Sequence, residues 1–429
     1  MKLEMSTPHV QYHALEIVLK DILSATKPRQ EDCAIRVHII NEFRAVVESV
    51  ESLRGTTVEP FGSFVSNLYT RRGDLDISVE VPNDSLVSAA GRRHKQDILK
   101  DIRKALRKRG GIHNLQFIPN ARVPILKFES NRQNITCDIS ISNILGRTKS
   151  KLLLWISEID ERFRDMVLLV KEWAMAQNIN DSKSGTLNSY SLCLLVIFHF
   201  QNCRPAIVPP LKEIYPGNIA DDLTGVGDIV EGNIRDACAA NISRFREKLK
   251  LNNSSLSELF VSFVNEFSRI NLIASEYAIC TYTGQWEEIT SNSKWMAKKY
   301  PLLIEDPFEH QENTARAVGA SQLIRISEAF MTTHHMLTSY TADRSSLVST
   351  LFRPQILSQL VARTPRGVPS TAGRGRHRLN QSLSASIPSR NQTQFLALGN
   401  RTSTSYSQRR GPVVNSQAQQ EWRPRYSER

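Results

Sequence analysis

The most constraining feature of this sequence is a strict alternation of polar and apolar residues from Asp74 to Val81. Successive side chains of a β-strand point to opposite faces, so this period of two places Asp74 and Asp76 on one face and an apolar row on the other. Residues 135–141 alternate in the same way, with Asp138 on the polar side. The sequence therefore predicts a sheet with one buried face and with three aspartates on the opposite face.

The three aspartates and an upstream Gly62-Ser63 pair are the residue types that phosphate chemistry needs. Two carboxylates at i and i+2 on one strand and a third on a neighbouring strand can ligate Mg²⁺ or Mn²⁺, which prefer oxygen ligands. Two such ions activate an attacking hydroxyl and stabilise a leaving pyrophosphate. A Gly-Ser pair at the start of a short helix lets N–H groups and a hydroxyl approach a triphosphate. We predict nucleotidyl transfer, with Asp74, Asp76 and Asp138 as catalytic residues and metal ligands.

A plainer interpretation of the first two aspartates is structural. A single Asp-x-Asp is common, and Asp74 after Arg72-Gly73 fits a turn residue that leads into an edge strand. The combination favours catalysis, because the Gly-Ser pair stands at a suitable distance upstream and Asp138 lies on a second alternating strand.

The hydrophobic periodicity of the sequence changes along the chain. Strand-like alternation is concentrated between Val58 and Ile141, and helical periodicity dominates from Leu152 to about Leu347. We therefore predict an α+β fold, with a small mixed-sheet nucleotidyltransferase palm, a larger mainly helical central domain, and the nucleotide in the cleft between them. The predicted ranges are an N-terminal helical segment that packs on the central domain (1–50), the palm (51–150), the central domain (151–350) and a disordered Arg/Ser/Gln-rich tail (351–429).

The tail carries most of the net charge. The chain has a formal charge of +12, and from Val361 onward twelve arginines stand against two glutamates, which gives +10. Two interpretations stay open: a solvated extension, or an arginine-rich strand that contacts RNA phosphates and stacks on bases.

Membrane insertion and disulfide bonding are disfavoured. The longest apolar stretch, residues 191–200, is about half of the roughly 20 residues that cross a bilayer, and it predicts a buried core helix instead. The six cysteines show neither a CxxC pair nor zinc-ligand spacing, and residues 1–23 lack the pattern of a signal peptide. We expect an intracellular protein of the cytoplasm, the nucleus or both.

Residues 61–80 (FGSFVSNLYTRRGDLDISVE), with CDIS at 137–140, resemble the DNA polymerase β nucleotidyltransferase superfamily. Stretches similar to noncanonical poly(A) polymerases and terminal uridylyltransferases are MVLLVKEWA (166–174), GTLNSYSLCLLVIF (185–198) and LLIEDPFEHQENTARAV (302–318). VPPLKEIYPG (208–217) and DDLTG (221–225) are most similar to the plant small-RNA uridylyltransferases that tail RNAs lacking 3′ methylation. The resemblance runs from about Arg44 to Leu323.

The resemblance implies roles for ten nucleotide-binding residues. The positions that match triphosphate contacts are Gly62, Ser63, Lys171 and Ser189; those near the base are Tyr190, which would stack on it, Asp306, Glu309, Glu312 and Asn313; the one near the sugar is Asn143. Without the resemblance, Lys171 fits a solvated helix residue, Tyr190 a core aromatic and Asn143 a loop residue.

Two positions depart from the family pattern. Met175 stands where the family often has a second lysine, one helical turn after Lys171, and Lys149 or Lys183 are the candidates to replace it.

The second departure concerns the base. Uridylyltransferases of this family have a histidine immediately before the asparagine that matches Asn313, whereas this chain has Glu312 there and His310 two positions earlier. A carboxylate accepts hydrogen bonds from uracil N3–H or from the adenine N6 amine, so Glu312 does not by itself discriminate between them.

The resemblance implies an enzyme that adds uridine from UTP to RNA 3′ ends, releases pyrophosphate and promotes RNA turnover. Its implied substrates are small RNAs lacking 3′ methylation, with Argonaute-bound small RNAs as candidates; no membrane partner is expected, and a monomer is the default. The alternatives are a terminal adenylyltransferase or poly(A) polymerase with the same chemistry, and a catalytically weak RNA-binding scaffold.

Overall fold

The structure is a computed structural model that describes residues 8–81, 84–223, 227–248, 250–310, 312–339 and 343–354. Most of the predicted tail, from residue 355 onward, lies outside these ranges. The strands are β1 (Thr57–Phe61), β2 (Leu75–Glu80), β3 (Ile112–Ile118), β4 (Ile125–Ser130), β5 (Thr136–Ile141), β6 (Tyr277–Cys280) and β7 (Gln285–Glu288). The helices are α1 (Pro8–Thr26), α2 (Gln30–Glu48), α3 (Gly62–Val65), α4 (Asp84–Arg109), α5 (Ile144–Ser157), α6 (Glu161–Ala176), α7 (Ser189–Asn202), α8 (Leu211–Ile214), α9 (Ile219–Asp222), α10 (Gly227–Lys248), α11 (Leu256–Glu266), α12 (Ile270–Ile273), α13 (Ser293–Met296), α14 (Ala320–Thr338) and α15 (Arg344–Leu351).

Five strands form the palm sheet in the order β1-β2-β5-β4-β3. The β2–β5 pair is parallel and the other three pairs are antiparallel, so the sheet is mixed. Together with the helical remainder, this confirms the predicted α+β class.

The apolar face of the palm sheet is covered by α2 and α4. Leu75, Ile77 and Val79 on β2 are fully buried, as the alternation predicts, and they share a core with Phe43 of α2 and Ile102 of α4. Burial of a large aliphatic or aromatic side chain contributes about 1.5–3 kcal/mol, so this face holds the sheet to its helices. The opposite face is left for the polar residues of the same strands.

The mainly helical central domain, called the helical body from here on, is built around α6 and α7, which pack against each other. The apolar run at 191–200 lies inside α7 and is buried along its length. Trp173 of α6 is fully buried between Phe260 and Phe330, and its indole N–H donates to Thr333 Oγ1 at 2.9 Å. Among the described residues, we find no helix long and apolar enough to cross a bilayer.

The N-terminal segment divides between the two bodies. Helix α1 packs on α6, α11 and α15, whereas α2 packs on α4 and β1 of the palm. The prediction that the whole of residues 1–50 packs on the central domain therefore does not describe α2. The reason is that Ile39, Phe43 and Val47 of α2 complete the apolar cover of the sheet.

An ion pair between a buried glutamate and a partly exposed arginine holds the end of the described chain to α6. Glu172 of α6 has a fully buried carboxylate that accepts two hydrogen bonds from the Arg353 guanidinium, at 3.0 and 2.7 Å, and one from the Arg353 backbone N–H at 3.1 Å. Such a carboxylate depends on its partner, because an unpaired charge in the interior is costly.

We predict that Arg353→Ala lowers the free energy of unfolding by about 3 kcal/mol, because it leaves the buried Glu172 carboxylate without its ionic partner. Arg344→Ala is the matched control, because Arg344 also pairs with a carboxylate, that of Asp21, but 70% of its side chain is exposed. The expected loss of unfolding free energy for this control is below about 1 kcal/mol. Chemical denaturation of both variants measures the difference, and equal losses would contradict the prediction.

Candidate active site

The strand register brings two of the three predicted carboxylates side by side. Asp76 of β2 and Asp138 of β5 are direct partners in the parallel pair, and Asp74 lies immediately before β2. The polar face that the alternation predicts thus forms one acidic patch on the sheet.

A lysine stands within this patch. Lys127 of β4 is the strand partner of Asp138, and its Nζ lies 3.0 Å from Asp138 Oδ1, 3.3 Å from Asp138 Oδ2 and 3.8 Å from Asp74 Oδ2. It donates a hydrogen bond to Oδ2, whereas Oδ1 is buried and accepts no hydrogen bond from any described residue.

Burial raises the pKa values of Asp74 and Asp76, and the neighbouring carboxylates add to both shifts. Burial, with Asp138 and Asp74 beside it, raises the pKa of Asp76 to about 7. The surrounding protein also raises the pKa of Asp74 by desolvation, although 56% of its side chain is exposed, and Lys127 opposes that shift. Like charges this close disfavour full ionisation without a cation.

Gly62 lets the backbone approach Asp76. Its φ of +68° suits glycine, and a β-carbon built there would lie 2.0 Å from Asp76 Oδ2. The Gly62 N–H donates to Ser150 Oγ at 2.7 Å, so Ser150 of α5 fixes this turn. Ser63 follows in the one-turn helix α3 and lines the cleft.

Across the ranges that the structure describes, no three His, Cys, Asp or Glu side chains are arranged to hold a metal ion as they stand. The donor set nevertheless fits Mg²⁺ or Mn²⁺. It is made of carboxylate oxygens, one of them without a hydrogen bond, and the ammonium of Lys127 already occupies a cation position between Asp74 and Asp138.

A cleft of about 800 Å³ runs from this patch into the helical body. Predicted residues that line it are Gly62, Ser63, Asp74, Asp76, Lys171, Ser189, Tyr190, Asp306, Glu312 and Asn313. Asp138, Asn143 and Glu309 do not line it, although Asp138 adjoins it through Asp76. The residues of the two bodies therefore meet in one cavity, and their individual roles stay predictions.

Lys171 is buried, which differs from the solvated helix residue that its sequence context alone suggests. Its Nζ donates to the Leu68 carbonyl at 2.8 Å, and Arg164 Nε donates to the Asn67 carbonyl at 2.9 Å. Both side chains come from α6, so the helical body holds the palm segment that leads to Asp74.

The far end of the cleft is rich in charge. The Tyr190 hydroxyl donates to Asp306 Oδ1 at 3.1 Å, and burial next to Asp306 raises its pKa, so it stays a donor. Lys149 binds Asp306 and Glu309, the latter at 3.2 Å, and Arg122 of the β3–β4 loop also binds Glu309. Palm and helical body are thus tied together here by ion pairs.

Glu312 faces two arginines. Its Oε2 lies 3.5 Å from Arg316 and 3.8 Å from Arg122. His310 lies elsewhere, 4.4 Å from the Tyr282 ring between centroids, and 3.9 Å from Glu305. It does not line the cleft.

Two predicted nucleotide contacts have structural partners. The Asn313 amide is buried, accepts from the Ile304 and Ala315 N–H groups and donates to the Leu302 carbonyl. Asn143 caps α5 by accepting from Gly146 N–H at 3.1 Å. Contacts of these amides with a nucleotide stay predictions.

The position of the absent second lysine, Met175, lines the cleft. Lys149 also lines it but is bound to the acidic pair at the far end, and Lys183 is exposed and is not part of the lining. Ser189 is exposed, and its hydroxyl donates to Asn180 at 3.2 Å.

Sequence reasoning missed Arg36. This fully buried guanidinium of α2 donates to the Gly73 carbonyl at 2.7 Å and to the Arg71 carbonyl at 3.3 Å, and it stacks on Tyr69 at 4.7 Å. It orders the loop before Asp74. The available signal was an arginine on the apolar face of an N-terminal helix. Lys127 and Arg122 were missed because Asp74 and Glu309, with which they pair, are remote in sequence. Arg316 was missed as well, although Glu312 lies only four residues before it.

The chain matches known proteins along most of its length. Residues 15–158 match the family model for the mitochondrial-like poly(A) RNA polymerase central palm domain. Protein HESO1 of Arabidopsis thaliana is 53% identical over 348 residues, which cover 81% of this chain and 68% of that protein. Terminal uridylyltransferase 7 of Homo sapiens is 25% identical, over 76% of this chain and 21% of that protein.

A solved structure of a cytoplasmic RNA terminal U-transferase has the same fold, with a TM-score of 0.61 and 24% identity, over 79% of this chain and 99% of that one. The likeness to HESO1 also confirms the resemblance that the motifs indicate. The chain belongs to the noncanonical poly(A) polymerase and terminal uridylyltransferase family of nucleotidyltransferases.

Proposed function

We propose that this chain is an RNA terminal uridylyltransferase that transfers uridine from UTP to the 3′-OH of RNA. The observation that carries the proposal is the parallel register of Asp76 and Asp138, which gathers three carboxylates beside a cleft lined by both bodies. The likeness to Protein HESO1 and terminal uridylyltransferase 7 supports this reaction.

The family typically uses divalent metal ions, and the three aspartates are the residues that would hold Mg²⁺ or Mn²⁺ here. Bound metal would supply the Lewis acidity that activates the attacking 3′-hydroxyl and neutralises the leaving pyrophosphate. The protein's part is positioning: β2 and β5 hold the carboxylates, and Arg36 orders the loop before Asp74. No covalent enzyme intermediate is required.

Most of the other predicted residues line the cleft, which supports a role for them in binding the nucleotide. Ser63 and Gly62, beside Asp76, are the candidates for the triphosphate, with Lys171 and Ser189 on the helical side. The ring of Tyr190 offers a face for base stacking, and its hydroxyl is fixed by Asp306.

Uracil preference is supported by the arginines around Glu312. Arginine only donates hydrogen bonds, and uracil offers the O2 and O4 acceptors, whereas the adenine N6 amine is a donor that would face Arg122 and Arg316. Because both arginines contact Glu312, its carboxylate is less free to accept from adenine. ATP use is kept as the alternative because Glu312 stands where uridylyltransferases of this family have a histidine.

Small RNAs lacking 3′ methylation, including Argonaute-bound ones, are the substrates that we propose, with RNA turnover as the outcome. Likeness to HESO1 is the support for this choice. An intracellular location, in cytoplasm or nucleus, fits six cysteines that are all free thiols. A monomer is the working assumption.

We predict that Asp74→Ala combined with Asp76→Ala abolishes nucleotide addition, because no pair of ligands on β2 remains. The control is Asp97→Ala with Asp101→Ala, which removes two carboxylates from α4, where each pairs with an i+3 lysine. RNA extension by the purified full chain, read on a sequencing gel, measures both. Undiminished extension by the first double variant would refute the proposed reaction.

We predict that the chain incorporates UTP faster than ATP, CTP or GTP when each is supplied alone with RNA and Mg²⁺. Arg122→Met should lower the ratio of UTP to ATP use by about tenfold, because a charged donor to uracil is lost. Arg132→Met is the matched control, since its side chain is 46% exposed against 47% for Arg122 and it too pairs with a glutamate. Faster incorporation of adenosine by the wild type would establish the alternative function.

We predict that the stability of the metal-free chain falls as pH rises from about 4 to about 7. Asp76 titrates near 7 in the folded chain and near 3.8 when unfolded, so in this window the folded state binds more protons. Thermal unfolding in EDTA should show this slope, and Asp76→Asn should reduce it. Saturating Mg²⁺ should also reduce it by offsetting the carboxylate charge. An unchanged slope in Asp76→Asn would contradict the assignment.

A further inference from the structure

Lys127 is placed where a metal-free site needs positive charge. Its strand, β4, pairs directly with β5, and Lys127 is opposite Asp138 in the antiparallel register. Its Nζ spans two of the three carboxylates, at 3.0 Å from Asp138 Oδ1 and 3.8 Å from Asp74 Oδ2. Its side chain is 25% exposed, so the ammonium is partly withdrawn from water.

The neighbouring cations are directed elsewhere. Lys171 Nζ donates to the Leu68 carbonyl, and the Arg36 guanidinium donates to loop carbonyls at Arg71 and Gly73. Lys127 therefore makes the direct ionic contact with Asp138 and Asp74 that offsets their mutual repulsion.

A divalent ion and this ammonium compete for the same oxygens. An ion bound by Asp74 and Asp138 would lie within a few ångströms of Nζ in its present place, where repulsion between positive charges is strong and poorly screened. Lysine is suited to withdraw, since its charge is carried on a flexible four-carbon stem and needs no fixed geometry.

We propose that Lys127 is a tethered counter-ion: it occupies the cation position between Asp74 and Asp138 in the metal-free protein and is displaced when a divalent ion binds. It is a positioning residue, because it sets the arrangement and charge of the ligands before loading. The inference rests on the proposed function, since it takes the aspartates to be metal ligands.

Two consequences follow. The metal-free fold is stabilised, because three carboxylates are not left facing one another. Metal affinity is lowered, because each loading event must break the Lys127 contacts. Removal of the charge should therefore weaken the empty protein and strengthen ion binding, which is the opposite of what loss of a metal ligand does.

The first test measures Mn²⁺ binding to the full chain by titration calorimetry, without RNA or nucleotide. Lys127→Met should lower the dissociation constant by about tenfold and should lower the melting temperature in EDTA. Lys127→Arg, which keeps the charge, should stay within about threefold of the wild type. Lys104→Met is the matched control for net charge, because Lys104 is exposed and pairs with Asp101 on α4. Unchanged or weaker Mn²⁺ binding by a folded Lys127→Met variant would overturn the inference.

The second test needs no variant. Brief acetylation of the wild-type chain, followed by peptide mass spectrometry, measures the reactivity of each lysine with EDTA or with Mn²⁺. Modification of Lys127 should rise severalfold with Mn²⁺, while that of exposed Lys100 and Lys104 stays constant. Equal or lower modification of Lys127 with Mn²⁺ contradicts displacement.

Failure of the inference and failure of the function are separable. A chain that extends RNA but shows neither effect lacks the counter-ion mechanism and keeps its activity. A chain that shows both effects without extending RNA retains the tethered cation and loses the proposed reaction.

Discussion

The parallel hydrogen bonding of β2 to β5 is the constraint on which the candidate site depends. Asp76 and Asp138 are sixty-two residues apart in sequence, and only the register of this pair makes them neighbours. A slip of one residue would turn Asp138 into the apolar core and bring Ile139 out, so burial of the opposite face protects the register. The polar chemistry is therefore secured by apolar packing on the other side of the same sheet.

A second constraint acts on the segment that enters β2. Residues 67–73 are held through their carbonyls by Arg164 and Lys171 of α6 and by Arg36 of α2. Because α6 belongs to the helical body and α2 to the palm, the position of Asp74 is set jointly by both. Arg122 and Lys149 join the same bodies at the far end of the cleft. Side-chain contacts thus connect the two bodies in two places, at the segment before β2 and around Asp306 and Glu309.

The sequence was most informative where periodicity and chemistry coincide. Alternation at residues 74–81 and 135–141 predicted both strands and the face of each aspartate, since these depend on local geometry. Family resemblance predicted the helical side of the cleft. The sequence could not predict that α2 covers the sheet, because an amphipathic helix does not specify which apolar surface it meets. The position of Lys127 beside Asp138 could not be predicted either, because it depends on the register of β4 with β5, which is a long-range property of the fold.

The contact between Gly62 and Asp76 has a consequence for how such sequences change over time. Every single-base substitution that replaces glycine with another amino acid adds a β-carbon, and here that atom would fall within 2.0 Å of a carboxylate oxygen, at a φ that other residues rarely adopt. Relatives that keep the reaction are therefore expected to keep glycine at this position. Relatives that keep only the fold can replace it. Loss of this glycine should mark relatives that have retained the fold and abandoned the chemistry.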